Sequence, residues 1–206
     1  MEIKLEQLGR RFGRDWIFRH IDCTISEGSH SIIVGGNGSG KSTLLQILSG
    51  FLSPSEGLVS YTRNNQSIED TALFKEVSLA APYLDVYEDL TLEEMVHFQD
   101  QFRPWTASLS SSDIIKKLEL VPHKTKQIKH FSSGMKQRVK LGLAILTDSA
   151  LLCLDEPSSN LDKAAVSWYR NLLTEYTSER TVVISTNHVE DEYIRKDNVL
   201  QMTDFK

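Results

Sequence analysis

The stretch Ser31-Ile32-Ile33-Val34-Gly35-Gly36-Asn37-Gly38-Ser39-Gly40-Lys41-Ser42-Thr43-Leu44-Leu45-Gln46-Ile47-Leu48 decides the fold. Its first four residues read as a buried strand and its last six as the opening of a helix. The glycine-rich turn between them has the spacing of a phosphate-binding loop. Strand, turn and helix in that order give the pattern a mechanism. The glycines let the backbone curl so that successive N–H groups face phosphate oxygens, and the helix N-terminus adds partial positive charge. Lys41 is then placed for the β- and γ-phosphates, and the Ser42 hydroxyl for a Mg²⁺ ion. The expected binding set is Gly35, Gly36, Asn37, Gly38, Ser39, Gly40, Lys41, Ser42 and Thr43, with a nucleoside triphosphate as ligand.

Working outward, the residues before the loop alternate like half-buried strands: Ile3/Leu5, Trp16-Ile17-Phe18, then Ile21/Cys23/Ile25. Leu58–Tyr61 and Glu76–Leu79 read as further short strands, divided by the polar turn Arg63-Asn64-Asn65-Gln66. A helical pattern runs from Thr91 to about Leu120, opened by the capping box Thr91-Leu92-Glu93-Glu94. Strand and helix then alternate: helix 134–147, strand 150–154, helix 162–177, strand 181–186, helix 188–196, strand 198–202. Alternation on this scale predicts an α/β domain with a mostly parallel sheet. An antiparallel β subdomain precedes it, and a helical insert at about 90–133 interrupts it. All of residues 1–206 are expected to form one domain.

Composition narrows the function classes. The 206 residues carry 23 basic and 28 acidic side chains, a net charge of −5, which argues against nucleic-acid binding through bulk charge. The apolar runs Leu143–Leu146 and Ala150–Leu154 are too short to span a bilayer. Met1–Leu5 alternates like a strand and lacks the apolar core of a leader. With the last residue at Lys206, no added regulatory domain is expected. Cys23 and Cys153 are far apart in sequence and are expected to be reduced, packed thiols of a cytoplasmic protein.

Two further stations carry chemistry. Leu151-Leu152-Cys153-Leu154-Asp155-Glu156 is an apolar strand ending in two carboxylates, and the carboxyl end of such a strand is where a parallel sheet presents ligand-binding groups. Asp155 is placed to hold Mg²⁺, and Glu156 to polarise an attacking water as general base. Phe131-Ser132-Ser133-Gly134-Met135-Lys136-Gln137-Arg138 is a second small-residue turn opening a helix. There the Ser132 hydroxyl can reach a phosphate and Gly134 lets the backbone approach.

Gly35–Thr43, Ser132–Arg138, Asp155-Glu156-Pro157, Ser159-Asn160-Leu161-Asp162 and His188, in that order, resemble the ATP-binding cassette (ABC) ATPases over essentially the whole chain. The resemblance implies a P-loop NTPase fold and Mg²⁺-dependent ATP hydrolysis. By the same resemblance Phe12 stacks on adenine, with Trp16 as the fallback, and His188 holds the γ-phosphate and attacking water. Ser132 and Gly134 reach the γ-phosphate held by the opposite subunit of a head-to-tail dimer, and Asp162 signals across that interface. No Asn-Lys-x-Asp motif for guanine is present.

The resemblance also implies partners. Two cassettes, identical or related, would sandwich two ATP molecules at the cytoplasmic face of a membrane. The insert and the loop before it would receive a short helix of a separately encoded membrane-spanning subunit. Tyr83, Leu84, Tyr87, Val96, Phe98, Phe102 and Trp105 are the candidate lining, with Val96 and Phe98 read as core of the insert. No direct nucleic-acid partner is expected. The alternative is a soluble ABC ATPase acting as an ATP-gated clamp or interaction module with weak turnover. One departure bears on this choice. The family places a glutamine that reaches Mg²⁺ at the position aligned with Pro82, and no glutamine occurs from Val77 to Leu90. Smaller departures are Gly36, Phe131, Ser133, Met135 and Asn160.

Overall fold

The computed structural model describes residues 1–187 and 189–205. The alternating N-terminal segment forms an antiparallel hairpin of β1 (Glu2–Phe12) and β2 (Asp15–Ile25). β3 (His30–Val34) then leads through the glycine turn into α1 (Lys41–Leu48). β4 (Glu56–Arg63) returns along the other side of β1. It joins β5 (Gln66–Ser67) through Asn64 and Asn65, both at positive φ, a conformation that Asn tolerates better than most residues. The antiparallel sheet therefore has the order β2-β1-β4-β5.

α2 (Asp70–Glu76) runs directly into β6 (Val77–Ala80), and the insert follows with α3 (Leu92–Asp100) and α4 (Ser111–Lys117). α5 (Ser133–Leu146), β7 (Leu151–Asp155), α6 (Lys163–Tyr176), β8 (Thr181–Thr186) and β9 (Asn198–Gln201) complete the chain. The second sheet is parallel, in the order β6-β7-β8-β3-β9.

β3, β7 and β8 are buried at every position, because both faces of the parallel sheet are covered. Ile32, Val34, Leu152, Leu154, Val182 and Ile184 pack into the core shared with the insert, α5 and α6. Their neighbours Ile33, Leu151, Cys153 and Val183 pack into the core shared with α1 and the antiparallel sheet. A period of two thus feeds two cores from one run of apolar residues, which is why these strands read as continuous rather than alternating.

The Thr91 capping box forms as expected: Thr91 Oγ1 accepts from the Glu94 amide, and Glu94 returns to the Thr91 amide. Three expectations are corrected. The helical region 91–120 is broken after Asp100, where Pro104 and the positive φ of Ala107 and Ser108 end the repeat. Glu76 closes a helix rather than opening a strand, and α2 escaped notice because Leu73 is its single buried residue and leaves no periodicity to read. In place of a helix over 188–196, the described residues form only a 3₁₀ turn at Glu190–Glu192. The carbonyls that a helix would use accept instead from α6: Tyr169 Oη donates to Glu192 O (2.7 Å), and Arg170 Nη1 to Glu190 O and Tyr193 O.

Candidate active site

The carboxyl ends of β6, β7, β8 and β3 lie along one edge of the parallel sheet, and the registers bring the chemistry to that edge. Leu154 pairs with Ala80 and Ile184, Asp155 with Ser185, and Val34 with Thr186. The phosphate loop leaves the tip of β3, and the two carboxylates leave the tip of β7.

In the loop, Gly38 and Gly40 have φ of 75° and 102°. Gly40 is required twice over: the angle disfavours any side chain, and a Cβ there would lie 2.7 Å from Ile17 Cγ2. Ile17 therefore forms part of the seat of the loop. It lines a cavity of about 440 Å³ together with Asn37, Gly38, Ser39, Gly40, Lys41, Ser42, Thr43 and Glu156. Nothing in its residue type marks it for this role.

Lys41 is 4% exposed. Its ammonium donates to Gly35 O (2.9 Å), Gly36 O (3.3 Å) and Asn187 Oδ1 (2.6 Å), and stands 3.8 Å from Glu156 Oε1. Asn187 Nδ2 donates to the same Glu156 oxygen at 2.8 Å, so Asn187 bridges the lysine and the carboxylate. Asn187 has no motif of its own to mark it, and the expected His188 lies outside the described residues. Glu156 has φ 44°, and its amide donates to Ser185 O at 3.0 Å. A non-glycine residue held in the left-handed region at the end of a central strand stores strain of the kind found at functional sites. Asp155 is buried and accepts from the Ser185 hydroxyl.

The residues fit a bound Mg²⁺-nucleotide. Ser39 Oγ is buried with no hydrogen-bond partner among the described residues, an orphan that a nearby phosphate or its water would satisfy. Ser42 and Asp155 are hard oxygen donors suited to Mg²⁺. Among the described residues no three His, Cys, Asp or Glu side chains converge on a metal. That donor set suits an ion that keeps waters and takes phosphate oxygens rather than one caged by protein.

Ser132 and Gly134 are placed elsewhere. Ser132 caps α5, its hydroxyl accepting from the Met135 amide at 3.2 Å. Gly134 faces the loop after β7, where a Cβ would come within 3.1 Å of Asn160 O. Gln137 Nε2 donates to Pro157 O (3.0 Å), tying α5 to the same loop. Asn160 has φ 65°, and this explains the departure at that position: Asn is among the few side-chain-bearing residues that visit this region readily. Asp162 caps α6 by accepting from the Ala165 amide at 2.8 Å. These residues gather around the loop after β7 and are not among those lining the phosphate-loop cavity.

Phe12 ends β1 and is half exposed, with the Arg10 guanidinium 4.6 Å from its ring centre. Trp16 is flanked by two guanidiniums, Arg11 at 5.5 Å and Arg19 at 4.1 Å.

The sequence model for the ABC transporter family matches residues 18–159, the span that holds the phosphate loop, the second small-residue turn and both carboxylates. The chain belongs to the ABC transporter family. It is 29% identical over 92% of its length to the cytochrome c biogenesis ATP-binding export protein CcmA of Brucella abortus, covering 86% of that protein. It is also 29% identical over 88% of its length to ATP-binding cassette sub-family A member 7 of Rattus norvegicus, of which it spans only 8%. Its fold is that of the ATP-binding cassette. It superposes on a dimeric bacterial ABC transporter cassette with a TM-score of 0.80 at 22% identity, over 97% of this chain and 94% of the other.

Against β6, α3 and α5 lies a second concavity, about 380 Å³, lined by Leu84, Val86, Tyr87, Phe98, Phe102 and Lys140 among others. Tyr87 packs edge-on to Phe98 (5.2 Å between ring centres), and Phe98 contacts Phe102 (5.0 Å). Val96 and Trp105 are buried in the core. Phe98, expected there too, is 39% exposed and faces the groove. Its ring is held between two partners that are themselves exposed, so the aromatic row stays at the surface.

Proposed function

We propose that this chain is a Mg²⁺-dependent ATPase cassette that acts as one half of a nucleotide-sandwich dimer and powers a separately encoded membrane-spanning transporter subunit. The carrying observation is the convergence of Lys41, Ser42, Asp155 and Glu156 on one sheet edge, while Ser132 and Gly134 stand away from that cavity. A phosphate site complete on one side only suits completion by the Ser132–Gly134 turn of a second cassette.

The residues then act as follows. Backbone amides of Gly36–Thr43 and the Lys41 ammonium bind the phosphates. Phosphate oxygens replace the Asn187 and Gly36 oxygens around Lys41, which frees Asn187 to hold Glu156 alone. Ser42 and Asp155 would hold Mg²⁺, which when bound would neutralise charge developing on the phosphates. Glu156 accepts the proton of the attacking water. His188 is proposed to orient that water and the γ-phosphate. Phe12 offers a ring face to adenine, and Trp16 is the weaker candidate because two guanidiniums already flank it.

The aromatic groove supports the membrane partner, since exposed Tyr and Phe anchors beside a concavity suit a docked helix. No helix among the described residues is long and apolar enough to cross a membrane; in the proposed reading the spanning subunit is a separate chain and this one sits at the cytoplasmic face. The direct test is Mg²⁺-dependent phosphate release from ATP by purified protein and by Glu156→Gln. The expected result is turnover that falls on the order of 10²–10⁴-fold in the variant while ATP binding persists. Equal turnover in both removes Glu156 as base. ATP binding without turnover in the wild type selects the ATP-gated module instead.

A further inference from the structure

Three acidic residues, Glu190, Asp191 and Glu192, follow one another in the 3₁₀ turn after β8. The first two are exposed, whereas Glu192 is only 2% exposed. A glutamate is almost never buried this far without partners to hold it. Glu192 Oε1 accepts from the Ser158 amide (3.1 Å) and from the Ser158 hydroxyl (2.5 Å). Its main chain is fixed as well. The Glu192 amide donates to Val189 O (3.1 Å), and Glu192 O accepts from Tyr169 Oη (2.7 Å), a side chain fully buried on α6.

The residues joined in this way belong to the two loops that carry reacting groups. Ser158 lies two positions after Glu156, and the Ser159 amide donates to Glu156 O (3.1 Å), so Ser158 sits inside the turn that leaves the carboxylate. Glu192 lies five positions after Asn187, whose side chain donates to Glu156 Oε1. From the other side, α5 holds the same turn through Gln137 and Pro157 O (3.0 Å). Glu156 itself has φ 44°, a conformation that persists only where the surroundings enforce it.

We propose that Glu192 is a positioning residue for the hydrolytic step. It holds the turn after Glu156 against the loop after β8, and so fixes Glu156 and Asn187 relative to each other. This inference rests on the reading of Glu156 as the base of an ATPase. Glu192 is not among the residues lining the phosphate-loop cavity, so it acts through Ser158 rather than on the nucleotide. Its second oxygen, Oε2, is buried with no partner among the described residues. An unpaired buried oxygen detracts from stability, so stability alone does not account for a carboxylate at this place.

The test measures steady-state ATPase rates and calorimetric ATP affinity for the wild type, Glu192→Ala, Glu192→Gln, Ser158→Ala and the double variant with alanine at both positions. Glu192→Ala is expected to lower kcat about tenfold to hundredfold, as when a reacting group is misplaced. KM and ATP affinity are expected to stay within about twofold of the wild type, because the phosphate loop is untouched. Glu192→Gln keeps an oxygen acceptor in the same place and is expected to recover most of the rate. Ser158→Ala keeps the amide donor and is expected to lose less than Glu192→Ala. The double variant is expected to be no slower than Glu192→Ala alone, since both changes break one contact. An unchanged kcat in Glu192→Ala overturns the proposal, and if that variant fails to fold, an unchanged kcat in Ser158→Ala does so. A fall in ATP affinity as large as the fall in rate also overturns it, since that marks a general loosening. A wild type that binds ATP but releases no phosphate removes the reading of Glu156 as base, and this proposal with it.

Discussion

The phosphate loop and the Ala81–Leu90 segment flank the same carboxylates yet are built on opposite principles. The loop is made of backbone: glycines at positive φ, a helix N-terminus and one buried lysine held by carbonyl oxygens. The segment is made of side chains: lysine clamps along its length and aromatic rings turned to the surface. Backbone recognition tolerates little change of residue type, since each glycine answers a steric demand. Ion pairs between surface side chains contribute little each and so allow replacement. The difference teaches where a cassette can vary without losing its chemistry.

The comparison can be broken at its strongest point first. Lys41→Ala removes the one charged side chain of the loop, and ATP affinity is expected to drop on the order of tenfold to a hundredfold. Titration of a fluorescent ATP analogue reads this, and a loss under twofold would mean that the backbone suffices. On the other side, Phe98→Ala removes the middle ring of the groove. Recovery of a membrane-spanning partner from detergent-solubilised membranes is expected to fall about thirtyfold, as for an interface anchor, with ATP affinity unchanged. A coupled loss of both would mean that the groove and the phosphate site are one unit. The smallest effect is expected for Phe12→Ala: KM for ATP rises about twofold to tenfold with turnover nearly constant, as when uniform binding is lost. An unchanged KM there, with a raised one in Trp16→Ala, would reassign the adenine platform.

The same contrast governs what was legible in the sequence. The phosphate loop, β3, β7 and β8 were readable because their requirements are local: glycine where φ is positive, apolar residues where both faces are covered. Lys41, Ser42, Asp155 and Glu156 could be placed together because a parallel sheet gathers its carboxyl ends. Ile17 and Asn187 could not, since their roles depend on which strands become neighbours. The tail after β8 was misread because side chains of α6 take its carbonyls, a tertiary effect that overrides helical periodicity.

The central claim is that the site is half of a sandwich, and the mass of Glu156→Gln in solution tests it most directly. Light scattering after size-exclusion chromatography should show a dimer with Mg²⁺-ATP and a monomer with ADP, and Ser132→Arg in the same background should remain monomeric with either. A Glu156→Gln protein that binds ATP and stays monomeric at every concentration would contradict a homodimeric sandwich. If it also stayed monomeric when mixed with related cassettes from the same cells, the sandwich itself would fall.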